Sequence, residues 1–425
     1  MIEQFAQAIV RWRYLVVLAT FGIILTAASG ARFLGFDTDY RVFFSEGNPQ
    51  LEAFDKLQDT YTKTDSILFM LIPEDGDVFD QETLALAHEL TTEGWQLPYT
   101  TRVDSLANYQ HTEADEDELV VEIEDLTPEK IAKVKRIALN EPLLKQRLIS
   151  PEGHVTAVNV IVRLPQISPD ETQILVAEAR KLKAHYKEKY PNIDIKLTGM
   201  VMMSNAFAEA AMKDMSTLTP IMFLVVLITL AILLRSFSGT INTLLVIIMS
   251  IVSAMGIAGW LGAVITPPVA NAPTIILTMA VADAVHLLVS MRQSMKYGMD
   301  KHTAIVESIR INFMPVLITS VTTAIGFLTM NFSDAPPFHT LGNVVAIGVM
   351  IAFVLSITFL PALAAILPMK VQANDEGETG NEIMDKVADF VLAKRKPFFW
   401  GTIILTMALV AAIPNNEIND NFVEY

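Results

Sequence analysis

The chain has 425 residues, of which 52% are hydrophobic, and its mean hydropathy is +0.40. This composition excludes an ordinary soluble domain and predicts a membrane protein. The net charge of −16 lies almost wholly between residues 35 and 215, which carry 33 acidic and 18 basic residues, and this argues against nucleic-acid binding. Because the sequence has no Cys, disulfides and thiolate metal sites are also excluded.

Long apolar runs predict about seven membrane-spanning helices. Their bounds are 14–34, 218–234, 241–265, 273–291, 313–332, 340–367 and 397–413. The first run follows Arg11 and Arg13 and is too long for a secretory signal core, so we interpret it as an uncleaved anchor. Gly256, Gly259 and Gly262 in and after the third run predict close helix packing.

Basic residues flank alternate ends of these runs and therefore predict the orientation of the chain. They are Arg11, Arg13, Arg235, Arg292, Lys296, Lys301, Arg310, Lys370, Lys386, Lys394, Arg395 and Lys396. By the positive-inside rule these ends face the cytoplasm, and residues 35–215 lie outside. We expect a multi-pass protein of the bacterial inner membrane with a cytoplasmic N-terminus and a periplasmic domain.

The acidic segment reads as an α+β domain inserted between the first and second spans. Predicted strands cover 65–73, 100–110, 118–125, 154–164 and 193–199, and predicted helices cover 81–96, 127–138 and 169–190. The 100–110 and 118–125 strands are expected to pair around an acidic turn. This order predicts a domain of split β-α-β character.

A partial repeat occurs at a constant offset of 382. Arg13 corresponds to Arg395 ahead of an apolar run, and residues 36–40 correspond to 418–422, after a linker-like segment at 372–382. We therefore expect five segments, 1–34, 35–215, 216–367, 368–396 and 397–425, with the chain ending inside a second copy of a duplicated transporter.

Asp283 is a charged residue in the middle of the fourth span. Placing Asp there costs roughly 2.5–3.5 kcal/mol on insertion scales, so it is a candidate proton-binding site. His286 lies one helical turn beyond and could pass or sense the proton. The alternative readings are that Asp283 only hydrogen-bonds a Ser or Thr of a neighbouring helix, and that His286 only lines a polar vestibule.

Hydroxyl side chains of the fifth and sixth spans are candidate relay partners of Asp283. They are Ser320, Thr322, Thr323, Ser356 and Thr358. After the first span, Asp37, Asp39 and Arg41 suggest either a metal or substrate site or, as we favour, a structural neck joined by salt bridges.

Several motifs carry a resemblance to a known superfamily. They are Asp37-Thr38-Asp39-Tyr40-Arg41 with Asn48-Pro49, residues 199–220, Ala280-Val281-Ala282-Asp283-Ala284-Val285-His286, Thr322-Thr323-Ala324-Ile325-Gly326-Phe327 and Leu360-Pro361-Ala362-Leu363. The chain resembles resistance-nodulation-division transporters, especially the mycobacterial membrane protein large (MMPL), hopanoid-exporter and Patched-like branch. Spans two to six are similar to a sterol-sensing domain.

This resemblance implies a polytopic α-helical membrane protein, with twelve helices expected at full length, and a proton-driven exporter of hydrophobic or lipid-like substrates. It also implies that Asp283 carries the proton and that polar partners lie on the tenth span, outside this sequence. The chain departs from the mycobacterial type at Ala284, where a Tyr often follows the Asp.

No Walker A sequence, nucleophile elbow or HExxH motif occurs, so we expect no enzyme activity, cofactor or metal. Two alternatives remain open, a lipid- or sterol-sensing module without transport and a proton-driven auxiliary factor for protein translocation. Expected partners are a hydrophobic substrate and membrane lipids, together with a homo-oligomer or periplasmic proteins, and not nucleic acid.

Overall fold

A computed structural model describes residues 1–37, 39–45, 47–61, 65–110, 126–165, 168, 170–234, 236–368 and 382–416. The predicted strand at 118–125, its acidic turn, most of the 372–382 linker, the repeat motif at 418–422 and the flanking Arg235 and Lys370 lie outside these residues. The chain divides into a first unit, residues 1–294 and 299–370, and a second unit, residues 295–298 and 371–425.

Fifteen α-helices and six strands occur in the described ranges. The helices are α1 Ile2–Arg11, α2 Arg13–Ala28, α3 Pro49–Thr60, α4 Gln81–Gly94, α5 Pro128–Asn140, α6 Glu171–Lys189, α7 Met200–Ser216, α8 Leu218–Leu234, α9 Phe237–Trp260, α10 Ala272–Lys296, α11 Lys301–Leu328, α12 Pro336–Ile357, α13 Phe359–Ile366, α14 Glu382–Ala393 and α15 Arg395–Ala412. The strands are β1 Gly35–Phe36, β2 Ser66–Pro73, β3 Thr100–Asp104, β4 Thr156–Val162, β5 Ile193–Thr198 and β6 Val264–Ile265.

Seven helical segments in the described part of the chain are long and apolar enough to cross a membrane, which confirms the predicted polytopic helical architecture. They are Arg13–Phe33, Met200–Leu234, Phe237–Trp260, Val269–Lys296, Lys301–Phe332, Pro336–Ile366 and Arg395–Asn415. Short 3-10 helices extend some of these segments, including Ser29–Phe33 after α2, Val269–Asn271 before α10 and Thr329–Phe332 after α11.

The first span is preceded by a separate amphipathic helix. Helix α1 buries Ala6, Ile9 and Val10 on one face, and Phe5 packs edge-to-face on Phe313 of α11 with 6.3 Å between the ring centroids. At Trp12 the backbone leaves helical geometry, with φ −100° and ψ 22°, and α2 starts afresh at the next residue. The chain therefore bends where it enters its first span.

The third span is shorter than the sequence predicts. Its apolar run continues to residue 265, but α9 ends at Trp260 and Gly262 adopts a positive φ of 73°. The chain then forms β6, whose Val264 and Ile265 pair in parallel with Gly35 and Phe36 of β1. Hydropathy could not separate these cases, since a short apolar run can belong to a strand or to a helix. The ladder joins the ends of the first and third spans.

The inserted domain contains a four-stranded antiparallel sheet in the order β3-β4-β2-β5 among the described residues. In chain order the elements run β2-α4-β3, then α5, then β4-α6-β5. Each β-α-β unit therefore leaves one strand position between its two strands, and a strand of the other unit fills it. This is the split β-α-β topology predicted from the sequence.

Alternating residues of the sheet form the core of the domain. Ile67, Phe69 and Leu71 of β2 are fully buried, whereas the side chains between them are half-buried. They pack with Val158 and Val160 of β4 in one cluster that also includes α4 and α6 side chains. The described strand β3 is shorter than predicted and pairs with β4. Its expected pairing with the 118–125 strand lies outside the described residues.

Helices α7 and α8 join the domain directly to the second span. Gly199 precedes α7 with φ 110°, and a Cβ there would collide with the carbonyl oxygen of Ser66 in β2. Helix α7 buries Val201, Asn205 and Ala208, and the Arg180 guanidinium of α6 makes two hydrogen bonds to the Glu209 carboxylate. In α8, by contrast, only Leu230 and Leu234 are buried among the described residues.

Small residues bring α9 close to the first span. A Cβ at Gly256 would collide with the carbonyl oxygen of Ala27, and one at Gly259 would collide with that of Gly30. These two glycines therefore serve close packing, as predicted. Gly262 does not, because nothing lies within 4 Å of its Cβ position, and its positive φ gives the chain its turn instead.

The second unit contains α14, a break at Lys394, and α15. The 3-10 helix Ile413–Asn415 follows α15. The first span has the same order of elements, which is helix α1, a break at Trp12, helix α2 and a 3-10 helix. Lys394 has φ −107° and ψ 24°, nearly the values of Trp12, which lies 382 positions earlier. The short sequence repeat thus corresponds to a repeated backbone geometry.

Candidate functional site

Asp283 is buried in the interior of the helix bundle. It is the twelfth residue of the 25-residue helix α10 and is only 2% exposed. Small neighbours, Ala280 and Ala284, lie on the same buried face of α10. This position, halfway along a span and away from solvent, is the one expected from the sequence.

The hydroxyl of Ser320 is the hydrogen-bond partner of this carboxylate. Ser320 lies on α11, is fully buried, and donates to Asp283 Oδ2 at 3.3 Å. A second bond, from Ser308 Oγ to the carbonyl oxygen of Leu287 at 2.6 Å, also holds α11 to α10. Two serines thus fix the helix pair that carries the carboxylate.

Among the described residues, Thr322 and Thr323 of the fifth span form no hydrogen bond with Asp283. Thr322 is exposed, and its hydroxyl donates to the Ile318 and Thr319 carbonyl oxygens of its own helix. Two residues along an α-helix correspond to a rotation of about 200°, so Ser320 and Thr322 face opposite ways. Thr323 is half-buried on α11, and no hydrogen bond joins it to Asp283 in the described ranges.

Ser356 and Thr358 of the sixth span are also separate from Asp283. Ser356 is fully buried, and its hydroxyl has no hydrogen-bond partner within the described residues. Thr358 donates to the carbonyl oxygen of Val354, at the break between α12 and α13. The role of either residue in a relay stays a prediction.

His286 lies on an exposed face of α10 and makes no hydrogen bond to Asp283 among the described residues. Ala282, four residues earlier, is exposed on the same side. Within the first unit, the carboxylate and the imidazole therefore occupy different environments, one enclosed and one accessible.

The structure places Asp37, Asp39 and Arg41 just after the C-terminal end of the first span. Arg41 Nη1 lies 2.9 Å from Asp39 Oδ2, Nη2 donates to Gln58 Oε1 at 2.9 Å, and Nε lies 3.5 Å from Asp55 Oδ1. Asp37 Oδ1 accepts from the backbone N–H of Asp39. These contacts tie the neck to α3, and no group of three or more potential metal ligands occurs in the described part of the chain.

The sequence analysis missed Asn242, a fully buried polar residue of α9 whose Nδ2 donates to the Leu360 carbonyl oxygen of α13 at 2.8 Å. The sequence could have indicated this residue, because Asn242 lies within the third apolar run and polar groups inside a membrane span require a hydrogen-bond partner.

With Ser320 as its partner, the Asp283 carboxyl group can take up or release a proton. No salt bridge joins it to a basic side chain in the described ranges, so its negative charge has no ionic compensation there. An uncompensated buried charge is costly, whereas the protonated acid is a neutral donor. The arrangement suits a group that changes protonation state.

Comparison with known sequences identifies the family. The MMPL family model matches residues 48–404, which include both the inserted domain and Asp283. The chain belongs to the MMPL family. A protein of Methanocaldococcus jannaschii whose name describes it as a membrane protein is 23% identical over 362 residues, covering 83% of this chain and 90% of that protein.

Membership of the MMPL family confirms the resemblance drawn from the sequence motifs and the predicted fold class. It places the chain among membrane transporters of the resistance-nodulation-division type, whose substrates are lipid-like. The match extends over α3 to α15, so the buried Asp283–Ser320 pair lies within the part of the chain that defines the family.

Proposed function

We propose that this MMPL-family chain belongs to an exporter of hydrophobic or lipid-like substrates that is driven by the proton-motive force, with Asp283 as the proton-binding group. The observation that carries the proposal is the burial of Asp283 in mid-span with Ser320 as its hydrogen-bond partner and no basic partner in the described ranges. Ionisable groups in such positions mark ion and proton pathways in membrane proteins.

Protonation at Asp283 supplies the coupling step. When the carboxyl group is neutral, α10 and α11 can remain closely packed. When it is ionised, the buried charge requires water or another donor, and this favours a different arrangement of the helices. Two states that differ in proton occupancy and packing are what a secondary transporter requires for alternating access.

The transport pathway is proposed to include the inserted domain, because α7 connects its sheet to the second span without an intervening loop. In this proposal the domain is periplasmic, the N-terminus is cytoplasmic and the protein lies in the bacterial inner membrane. His286, on its accessible face, is the proposed route by which the proton reaches the aqueous phase. A homo-oligomer and periplasmic partner proteins remain compatible with this scheme.

The test is lipid movement in vesicles that contain the full-length protein. A proton gradient is imposed, and the transfer of a fluorescent phospholipid analogue is compared for the wild type, Asp283→Asn and Asp334→Asn. Asp334 is an exposed residue of the turn before α12, so its substitution makes the same chemical change away from the bundle. We expect at least a tenfold loss for Asp283→Asn and unchanged transfer for Asp334→Asn.

Undiminished gradient-driven transfer by Asp283→Asn would refute the assignment of the proton site. Binding of the analogue without any gradient-driven transfer by the wild type would favour the lipid-sensing alternative. Accumulation of unprocessed secretory precursors on depletion, again without lipid transfer, would favour the translocation-factor alternative.

A further inference from the structure

The bend at the start of the first span encloses an apolar groove, which we call the elbow groove. It is lined by Phe5, Ala8, Ile9 and Trp12 of α1 and by Leu15 and Val16 of α2, and its volume is about 460 Å³. This volume lies within the usual range of small-molecule sites, roughly 300–1,000 Å³. Trp12 and Leu15 are 57% and 60% exposed, so the groove is open.

The groove is preformed because residues of α1, including the groove-lining Phe5 and Ile9, also pack into the first unit. Ala6, Ile9 and Val10 are buried, and the ring of Phe5 contacts that of Phe313 on α11. An amphipathic helix held beside the start of a membrane span lies at the depth where lipid headgroups meet acyl chains.

The second unit shows what a filled elbow looks like. At the constant offset of 382, Ala8 and Val16 correspond to Phe390 and Phe398. These two rings pack edge-to-face across the second bend, with 5.7 Å between centroids and an interplanar angle of 83°. The two bends have almost the same backbone geometry, and the first copy carries the smaller Ala8 and Val16 where the second carries the two packed rings.

One basic side chain, Arg11, lies beside the groove-lining Trp12, whereas Arg13 points toward the buried side of α1, where its Nη1 donates to the carbonyl oxygen of Val10. The Arg11 guanidinium carbon is 5.9 Å from the ring centroid of Trp12, which itself lines the groove, and Arg13 stacks over Tyr14 at 5.2 Å. Arg13 Nε is buried without a hydrogen-bond partner in the described part of the chain. An apolar groove beside the Arg11 guanidinium fits a ligand with a hydrocarbon chain and an anionic head.

We propose that the elbow groove binds an anionic phospholipid, with an acyl chain between α1 and α2 and the phosphate beside Arg11. The site is separate from Asp283 and does not depend on transport. Its occupant would stabilise the bend through which the chain enters the membrane.

The experiment measures lipid binding to the purified full chain by native mass spectrometry, with phosphatidylglycerol and phosphatidylcholine as probes. The double variant Ala8→Phe with Val16→Phe copies the filled elbow of the second unit. Its matched control, Leu18→Phe with Ile23→Phe, adds aromatic rings at positions of α2 that are 76% and 68% exposed and do not line the groove. Thermal melting checks that each variant is folded.

We expect the filled-groove variant to bind phosphatidylglycerol at least tenfold more weakly than the wild type and the control to bind within twofold. Arg11→Gln should reduce the preference for phosphatidylglycerol over phosphatidylcholine about fivefold, as expected for loss of one basic residue near a membrane. If the double variant does not fold, Ala8→Leu should give an intermediate loss.

Equal phosphatidylglycerol binding by the folded filled-groove variant and the wild type would overturn the proposal. A change of oligomeric mass on filling, with lipid binding unchanged, would also overturn it, because the groove would then be a contact between chains. As an independent readout, a photoactivatable phosphatidylglycerol should label residues 5–16 in the wild type and fail to label them in the filled-groove variant.

Discussion

Replacing Gly256 by Ala tests whether the first span and α9 cross as closely as the structure shows. The added methyl would collide with the carbonyl oxygen of Ala27, which is backbone and cannot rotate away. Overpacking of this kind costs about 1–3 kcal/mol, whereas Ala favours a helix over Gly by roughly 0.5–1 kcal/mol. The net expectation is a loss of about 0.5–2 kcal/mol.

The control is Gly22→Ala in α2, where nothing lies within 4 Å of the Cβ position. This substitution gains the helix propensity without a collision, so it should leave the stability unchanged or raise it slightly. In a thermal melt of the purified protein, Gly256→Ala should melt several degrees below the wild type and Gly22→Ala at or above it.

A second substitution, Gly259→Ala, would collide with the carbonyl oxygen of Gly30 at the same crossing and should behave like Gly256→Ala. The two losses should not add fully, because one separation of the helices relieves both collisions. Equal melting temperatures for Gly256→Ala and Gly22→Ala would refute the close approach.

Two further predictions concern the bundle and the domain. Ser320→Ala removes the hydroxyl bound to Asp283 and should slow gradient-driven lipid transfer several-fold. Thr322→Ala, on the opposite face of α11, should leave the transfer rate unchanged. Equal effects of the two substitutions would contradict the assignment of Ser320 as the partner of Asp283. Burial, followed by the nearby carboxylates of Glu93 and Glu89, raises the pKa of Tyr186. The stability that protonated Tyr186 contributes is therefore fully present below the unfolded pKa near 10 and is lost as the pH rises further. Tyr186→Phe should make the domain lose less stability at alkaline pH than the wild type does. Circular dichroism from about pH 8 to 12 measures this unfolding.

The sequence predicts the spans and the sheet well because both depend on local patterns. Uninterrupted apolar runs predict the seven spanning segments, and the alternation at Ile67, Phe69 and Leu71 predicts a strand with one buried face. The order of strands and helices then leaves few topologies open, and the split β-α-β arrangement is among them.

Prediction fails where tertiary contacts decide between equally apolar choices. Val264 and Ile265 extend a hydrophobic run, yet they form a strand because Gly35 and Phe36 lie beside them. Likewise, hydrophobicity places Asp283 in mid-span but does not indicate which neighbouring hydroxyl reaches it. Helical periodicity predicts that only one of Ser320 and Thr322 can face Asp283. Which of them does so depends on the face of α11 that packs against α10, and the sequence does not show that face.

Under the proposed function, the paired helices α7 and α8 would act as a lever between the inserted domain and the second span. The segment Met200–Leu234 has 35 residues and is therefore roughly 50 Å long. Its buried side chains lie near its two ends, Val201, Asn205 and Ala208 within the domain and Leu230 and Leu234 at the other end. A tilt of about 5° about the end that carries Leu230 and Leu234 would displace the domain end by roughly 4 Å over this length. Under the proposed function, a small tilt of α8 would thus become a movement of the domain as large as a substrate headgroup.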